Sequence, residues 1–288
     1  MTAETDLTTA SPDWGKADFG DIYDCPDPSS YFTTLLPLAY QIPHHGQAVF
    51  RTLTETLRTR RAGHGPPAVV DVCCSYGINA ALLNHQVTLD DLYARYTARP
   101  AGAPVPHLLA EDRAFFTARR RPAPVTVTGI DAAPRAVAYA RATGLLDHAF
   151  AENLETTDPS PALREVLAGT DLVTVTGGIG YVFTQTFARL LAAMPRPPWV
   201  AAFVLRTVPY EPIAELLGRA GLVTEKFPGR TFRQRRFAGP AERQAAFEAL
   251  ATQGLGTAGK EADGYYHADL YLSRPAADVV ELPLTGLL

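Results

Sequence analysis

Residues Val69–Leu83 read V-V-D-V-C-C-S-Y-G-I-N-A-A-L-L. A short β-branched apolar run passes through small residues into an Ala/Leu-rich segment, the pattern of a buried strand, a tight loop and a helix start. Such a turn sets backbone N–H groups and the beginning of a helix beside the C-terminal end of the strand. That is where open α/β sheets bind their ligands.

Downstream the chain alternates strands and helices. Val125–Ile130 (V-T-V-T-G-I) predicts a second strand ending at Asp131, with a helix from near Pro134 to a stop at Gly144. Asp147–Leu154 predicts the third strand and Asp171–Thr176 the fourth, which ends in the loop Gly177–Tyr181. Trp199–Leu205 predicts a fully apolar fifth strand, and Leu222–Phe227 and His267–Leu272 two closing ones. Helices are expected at Gln185–Ala193, Glu211–Ala220 and Ala241–Ala251. Alternation of this kind argues a parallel, doubly wound sheet.

The order of motifs resembles the class I S-adenosylmethionine (SAM) dependent methyltransferases over about residues 68–275. Asp71 stands at the acid of the first motif, with Cys73, Ser75 and Gly77 at its three small positions. Cys73 and Ser75 stand where the family expects glycine. An acid ends strand two, a Glu-Asn pair follows strand three, and a Gly-rich loop ends strand four. The resemblance implies an α/β fold, a Rossmann-like doubly wound seven-stranded sheet closed by an antiparallel pair. Residues 1–67 form a tail and N-terminal helical cap, residues 68–275 the SAM-binding domain, and residues 276–288 a C-terminal tail. The second acid normally follows the first motif by about twenty residues; here Asp131 lies sixty residues after Asp71, which implies an insertion after the first strand–helix unit, over 85–123. Thr88–Tyr96 and His107–Arg120 have helical spacing of Leu, Tyr and Phe and predict two helices that form a lid or an oligomer contact.

The resemblance also implies roles. Asp71, Cys73, Ser75, Gly77 and Asn79 line or orient the methionine part of SAM. Asp131, followed by Ala132, takes the ribose hydroxyls, since a carboxylate offers two coplanar acceptors to a vicinal diol. Glu152, Asn153 and Leu154 meet adenine, and Thr176, Gly177 and Gly178 lie beneath the sulfonium. Tyr181 falls at a catalytic or substrate-facing position. Tyr31, His44 and His45, in the aromatic segment before the sheet, are further catalytic candidates. Tyr23 and Arg206 are candidates for substrate contact, Arg206 as a carboxylate clamp or else as half of a surface ion pair. For any one residue of the aromatic segment, packing against the core is the competing role.

Composition bounds the partners. Hydrophobic content is 47%, charged content 19% and net charge −4, which lacks the basic field of a nucleic-acid binder. The Arg-rich runs 58–61, 119–121 and 230–236 read as solvated helix ends or loops. An Asn-Pro-Pro-Tyr motif, used on amino nitrogens, is absent after strand four, and so is the G-x-G-x-x-G dinucleotide fingerprint. Three cysteines provide neither a disulfide framework nor a metal pattern; Cys73 and Cys74 point to opposite faces of a strand end. The polar, acidic N-terminal stretch does not read as a signal peptide, and no apolar run reaches membrane length. The expectation is a cytoplasmic bacterial enzyme, a small-molecule methyltransferase of specialised metabolism using SAM and no metal, with a possible homodimer through the insertion. Two alternatives stay open. One is a SAM-consuming enzyme of the same fold attacking the γ-carbon, either by cyclisation to azetidine-2-carboxylate with release of methylthioadenosine or by aminocarboxypropyl transfer. The other is a SAM-fold partner without turnover.

Overall fold

The computed structural model describes residues 20–61, 63, 65–100 and 102–288; the first 19 residues of the expected tail lie outside them. Two helices come first, α1 (Ser29–Leu35) and α2 (Ile42–Arg60). Strand β1 (Ala68–Val72) feeds α3 (Ile78–Asn84), and the insertion supplies α4 (Leu89–Thr97) and α5 (Val105–Thr117). Alternation then resumes: β2 (Thr126–Asp131), α6 (Pro134–Ala142), β3 (His148–Ala151), α7 (Pro161–Leu167), β4 (Leu172–Thr176), α8 (Thr184–Ala192), β5 (Trp199–Leu205), α9 (Glu211–Arg219). The chain finishes with β6 (Leu222–Lys226), β7 (Phe232–Arg236), α10 (Pro240–Thr252), β8 (Tyr265–Pro275), α11 (Ala276–Glu281) and α12 (Leu284–Leu287).

The strands order as β3-β2-β1-β4-β5-β8-β6, with β7 also paired to β8. The first five are parallel and β8 runs antiparallel to β5. This is the doubly wound sheet expected, with one difference. The edge strand is broken in two, so β6 and β7 lie along successive halves of the long β8 and the sheet has eight strands. The run 230–236, expected as solvated loop, is therefore largely β7.

Alternation along each strand sends side chains to two separate cores. Val69, Val127, Leu172 and Ala201 face one, covered by α1 to α6; Val70, Val72, Val173 and Val200 face the other, covered by α7 to α10. A glycine is needed at position 129 of β2, because a Cβ there would lie 2.5 Å from Leu146 and 2.7 Å from the Cys74 sulfur.

The insertion is part of the first core rather than a lid over it. Thr88 caps α4 in a reciprocal capping box with Asp91. Leu92, Tyr93, Tyr96 and Phe116 are buried, and Tyr96 stacks on Phe32 of α1 at 4.7 Å between centroids. With the aromatic residues facing inward, the stripe that suggested an oligomer contact is spent on packing. Asp112, fully buried on α5, ties this arrangement together by accepting from Arg95 (2.8 Å), Arg99 and the Tyr139 hydroxyl (2.6 Å). Removing it leaves the Arg99 guanidinium with Asp27 at 3.5 Å and the Tyr139 hydroxyl with Tyr96 at 2.7 Å, each short of the buried carboxylate they share. Asp112→Ala is expected to lower unfolding free energy by about 3–5 kcal/mol in denaturant titration, whereas a loss below about 1 kcal/mol would show that the insertion is anchored elsewhere.

Candidate active site

The loop after β1 turns more sharply than most side chains allow. Cys73 and Ser75 both sit at left-handed backbone angles, φ +57° and +48°, and Gly77 follows at +76°. Non-glycine residues pay about 1–2 kcal/mol to adopt that region. The two departures from glycine thus keep a glycine-like backbone rather than abolishing the turn. Gly77 serves packing, not the cavity: a Cβ there would meet Ala140 at 3.1 Å and Leu145 at 3.3 Å. Tyr76, which sequence reasoning passed over, reaches back to the N-terminal segment. Its hydroxyl donates to the Ile22 carbonyl (2.9 Å) and accepts from the Cys25 N–H (2.8 Å).

Beneath this loop Asp71 is buried in the middle of the sheet. Its Oδ1 accepts from Asn79 Nδ2 (2.9 Å) and Thr174 Oγ1 (2.7 Å), while its Oδ2 is buried with no hydrogen-bond partner. Burial pushes its pKa up to about 6, with the two hydrogen bonds opposing the shift. Asn79 also donates to Thr176 Oγ1 (2.7 Å). Both amide hydrogens of Asn79 are then committed, and its oxygen is the group it offers to the cavity. Asp71 itself does not line that cavity; it orients the residue that does.

At the end of β2, Asp131 Oδ2 accepts from the Ser75 N–H (2.8 Å) and Oδ1 from the Ala133 N–H (3.0 Å). Burial raises its pKa and those backbone bonds oppose the rise. Each oxygen keeps an acceptor position for another donor. Past β3, Glu152 accepts from the Ser160 N–H (3.0 Å) through one oxygen. Glu155 caps α8, accepting from the Phe183 N–H (2.6 Å) and the Thr186 N–H (3.0 Å), which fixes the loop after β4.

These groups open onto one cavity of about 390 Å³, within the usual range for small-molecule sites. The sequence candidates Cys73, Ser75, Asn79, Asp131, Ala132, Glu152, Asn153, Leu154, Thr176, Gly177, Gly178 and Tyr181 line it together, with Tyr23 and Tyr31 of the N-terminal segment. Among the further lining residues that the sequence did not single out are Tyr40, Thr186, Gln234 and Arg235. Tyr40 belonged to the aromatic cluster and was there to be chosen; Gln234 and Arg235 sat in a run that reads as solvated. Burial raises the phenol pKa values of Tyr23, Tyr31 and Tyr40, so these remain protonated near neutral pH and act as donors and aromatic walls. Tyr181 lies at the mouth, 54% exposed. Ser75 Oγ, Thr186 Oγ1 and Gln234 Oε1 are buried without a hydrogen-bond partner in the protein.

The remaining candidates lie elsewhere. His44 and His45 occupy the first turn of α2 outside the lining, with the His45 ring 5.5 Å from Phe232. Burial and the neighbouring His44, Arg230 and His267 lower the His45 pKa to about 4. Arg206 is 4% exposed and is consumed by Glu261 and the Gly256 carbonyl (3.0 Å), facing a separate hollow beyond β5. Its ion pair is buried rather than at the surface.

No family profile and no curated protein sequence matches this chain. Solved structures do. Magnesium protoporphyrin IX methyltransferase from Synechocystis PCC 6803 with bound SAM is 12% identical, over 79% of this chain and 80% of that one, at TM-score 0.35. A plantazolicin methyltransferase in complex with a substrate analogue and SAH is 11% identical, over 86% and 88%, at 0.42. The [4+2]-cyclase SpnF is 15% identical, over 78% and 80%, at 0.35. Likenesses this remote carry no weight of their own. The strand order, the antiparallel closure and the helix layers are themselves those of the class I SAM-dependent methyltransferase fold.

The buried Asp71 makes stability depend on pH. Its carboxyl is raised from 3.8 to about 6 in the folded chain, so between those values the folded state holds a proton the unfolded state has released. Stability then falls as pH rises through that window. Relative to Asp71→Asn, which has no such titration, the native protein is expected to lose about 2 kcal/mol between pH 4 and pH 6.5 in denaturant titrations. Parallel pH profiles would contradict the assignment.

Proposed function

We propose that this protein is a SAM-dependent methyltransferase acting on a small molecule. The observation that carries the reading is the cavity at the C-terminal ends of β1 to β4, where acceptors and orphaned polar atoms converge. The residues fit the cofactor. Asp131, with both oxygens oriented by backbone donors, suits the ribose diol, and Glu152 retains one oxygen for the adenine amine. Ser75 Oγ and Thr186 Oγ1 are buried polar groups that a ligand would satisfy. When bound, SAM supplies a sulfonium whose attached carbons are already electrophilic.

The chain's own contribution is then placement. Asp71 holds Asn79 and the end of β4 in one geometry. The phenol faces of Tyr23, Tyr31 and Tyr40 offer a surface attractive to a cation. Alignment of reacting atoms is the main effect such a site has to provide. Among the described lining residues no histidine is present, and the phenols of Tyr23, Tyr31 and Tyr40 hold their protons, which favours an acceptor that needs little help in losing its own. The retained turn geometry at Cys73 and Ser75 speaks for a working site over a partner without turnover. A bacterial, cytoplasmic setting and a role in specialised metabolism belong to the same proposal, as does attack at the methyl rather than the γ-carbon. Among the described residues, no helix is long and apolar enough to cross a membrane.

The test is to incubate the purified protein with SAM, with and without candidate small-molecule acceptors, and follow the nucleosides by mass spectrometry. The proposal expects SAM to stay intact alone and S-adenosylhomocysteine to form with an acceptor. Methylthioadenosine appearing without any acceptor would instead establish cleavage at the γ-carbon.

A further inference from the structure

Strand β7 is clamped along both edges. On one side it pairs with β8 through Phe232↔Ala268 and Arg233↔His267. On the other, the link between α1 and α2 bonds to it. The Gln41 N–H donates to the Gln234 carbonyl, and the Arg236 N–H to the Leu38 carbonyl, both at 2.7 Å. The Gln234 side chain, 2% exposed, is therefore held at the cavity wall by the sheet and the cap together. Space is reserved for it. Gly177 has φ +70°, and a Cβ there would come within 2.7 Å of Gln234 Nε2. Yet Gln234 Oε1 is buried and accepts from nothing in the protein. Buried acceptors are rarely left unpaired, and this one belongs to a side chain of the cavity wall.

The chemistry around it narrows what can supply the donor. Tyr23, Tyr31, Tyr40, Leu35 and Pro43 give this part of the cavity an aromatic and apolar wall. Arg235 is bound by both oxygens of Glu242, at 2.9 and 2.6 Å, so its charge is compensated. Asp131 ends β2 and Glu152 follows β3, across the sheet from β7. With Arg235 compensated by Glu242, a charged group of a second substrate would meet no opposite charge among these residues.

We propose that Gln234 is a specificity-determining residue, its Oε1 accepting a hydrogen bond from the small molecule to be modified. The substrate class is an uncharged compound with an apolar body and one O–H or N–H donor at the end that enters beside the tyrosines. The proposal rests on the methyltransferase reading, since it assigns this end of the cavity to a second substrate rather than to the nucleoside.

The probes are phenol and anisole, which share a ring but differ in the donor. Their binding to protein loaded with S-adenosylhomocysteine is measured by calorimetry. The native protein is expected to prefer phenol by about tenfold or more, the scale of one buried hydrogen bond. Gln234→Leu is expected to erase that preference while its affinity for S-adenosylhomocysteine stays within about twofold. Gln234→Met, of similar length, replaces it if the leucine variant loses its thermal transition. Equal binding of phenol and anisole by the native protein, or a preference that survives in the variant, would overturn the proposal. So would a variant that loses S-adenosylhomocysteine affinity as steeply as phenol, which would assign Gln234 to the nucleoside. Failure of the native protein to bind S-adenosylhomocysteine would count against the methyltransferase reading alone, and the phenol–anisole comparison on unloaded protein still decides Gln234.

Discussion

The buried carboxylate of Asp71 is the contact on which the site depends. It sits on β1 between Gly129 and Thr174 of the flanking strands. From there it collects the Thr174 hydroxyl and the Asn79 amide, and through Asn79 the Thr176 hydroxyl. One acceptor thus links the central strand, the helix that follows it and the strand on the far side of the crossover. A carboxylate in that position carries a desolvation cost, visible in its raised pKa. What offsets it is geometry: the loop between β1 and α3 and the end of β4 are set at a fixed separation, with the cavity between them. The same loop is held on its other flank by Asp131, which accepts the Ser75 N–H. Two acids from neighbouring strands, one beneath the turn and one beside it, hold a backbone that Cys73 and Ser75 would not adopt freely.

The N-terminal segment and the insertion extend this frame outward. Tyr76 ties the loop to Ile22 and Cys25, and the Leu38–Gln41 link is bonded to β7. The covering of the cavity is thus built into the hydrogen bonding of the sheet. Beneath it, Phe32 and Tyr31 of α1 join Tyr93 and Tyr96 of the insertion in one aromatic cluster. The insertion consequently supports the cap from behind and contributes none of its described residues to the cavity lining.

Much of this was legible in the chain because local pattern and tertiary role coincide. Trp199–Leu205 is apolar throughout and is a strand buried on both faces, with the limits its composition implies. Asp131 ends an alternating run and lines the cavity from the end of β2. Thr88 announces the cap of α4. The misreadings occur where the deciding partner is remote in sequence. Arg235 looks solvated until Glu242, from the start of α10, closes on it with two bonds. Arg206 looks available for substrate until Glu261 consumes it. His44 and His45 have the chemistry of a base, but α2 begins at Ile42 and leaves both outside the cavity lining. Gln234 carried no local signal, since a glutamine among arginines reads as surface, and only the pairing of β7 with β8 and the cap makes it a wall of the site.

The most direct measurement is calorimetric binding of SAM to the native protein and to Asp131→Ala. The account predicts saturable one-to-one binding by the native protein, weakened by about tenfold or more in the variant, as expected for losing charge-assisted hydrogen bonds to a diol. Absence of binding by the native protein at millimolar SAM, or equal affinity in the two, would contradict the claim that this cavity is built around the cofactor.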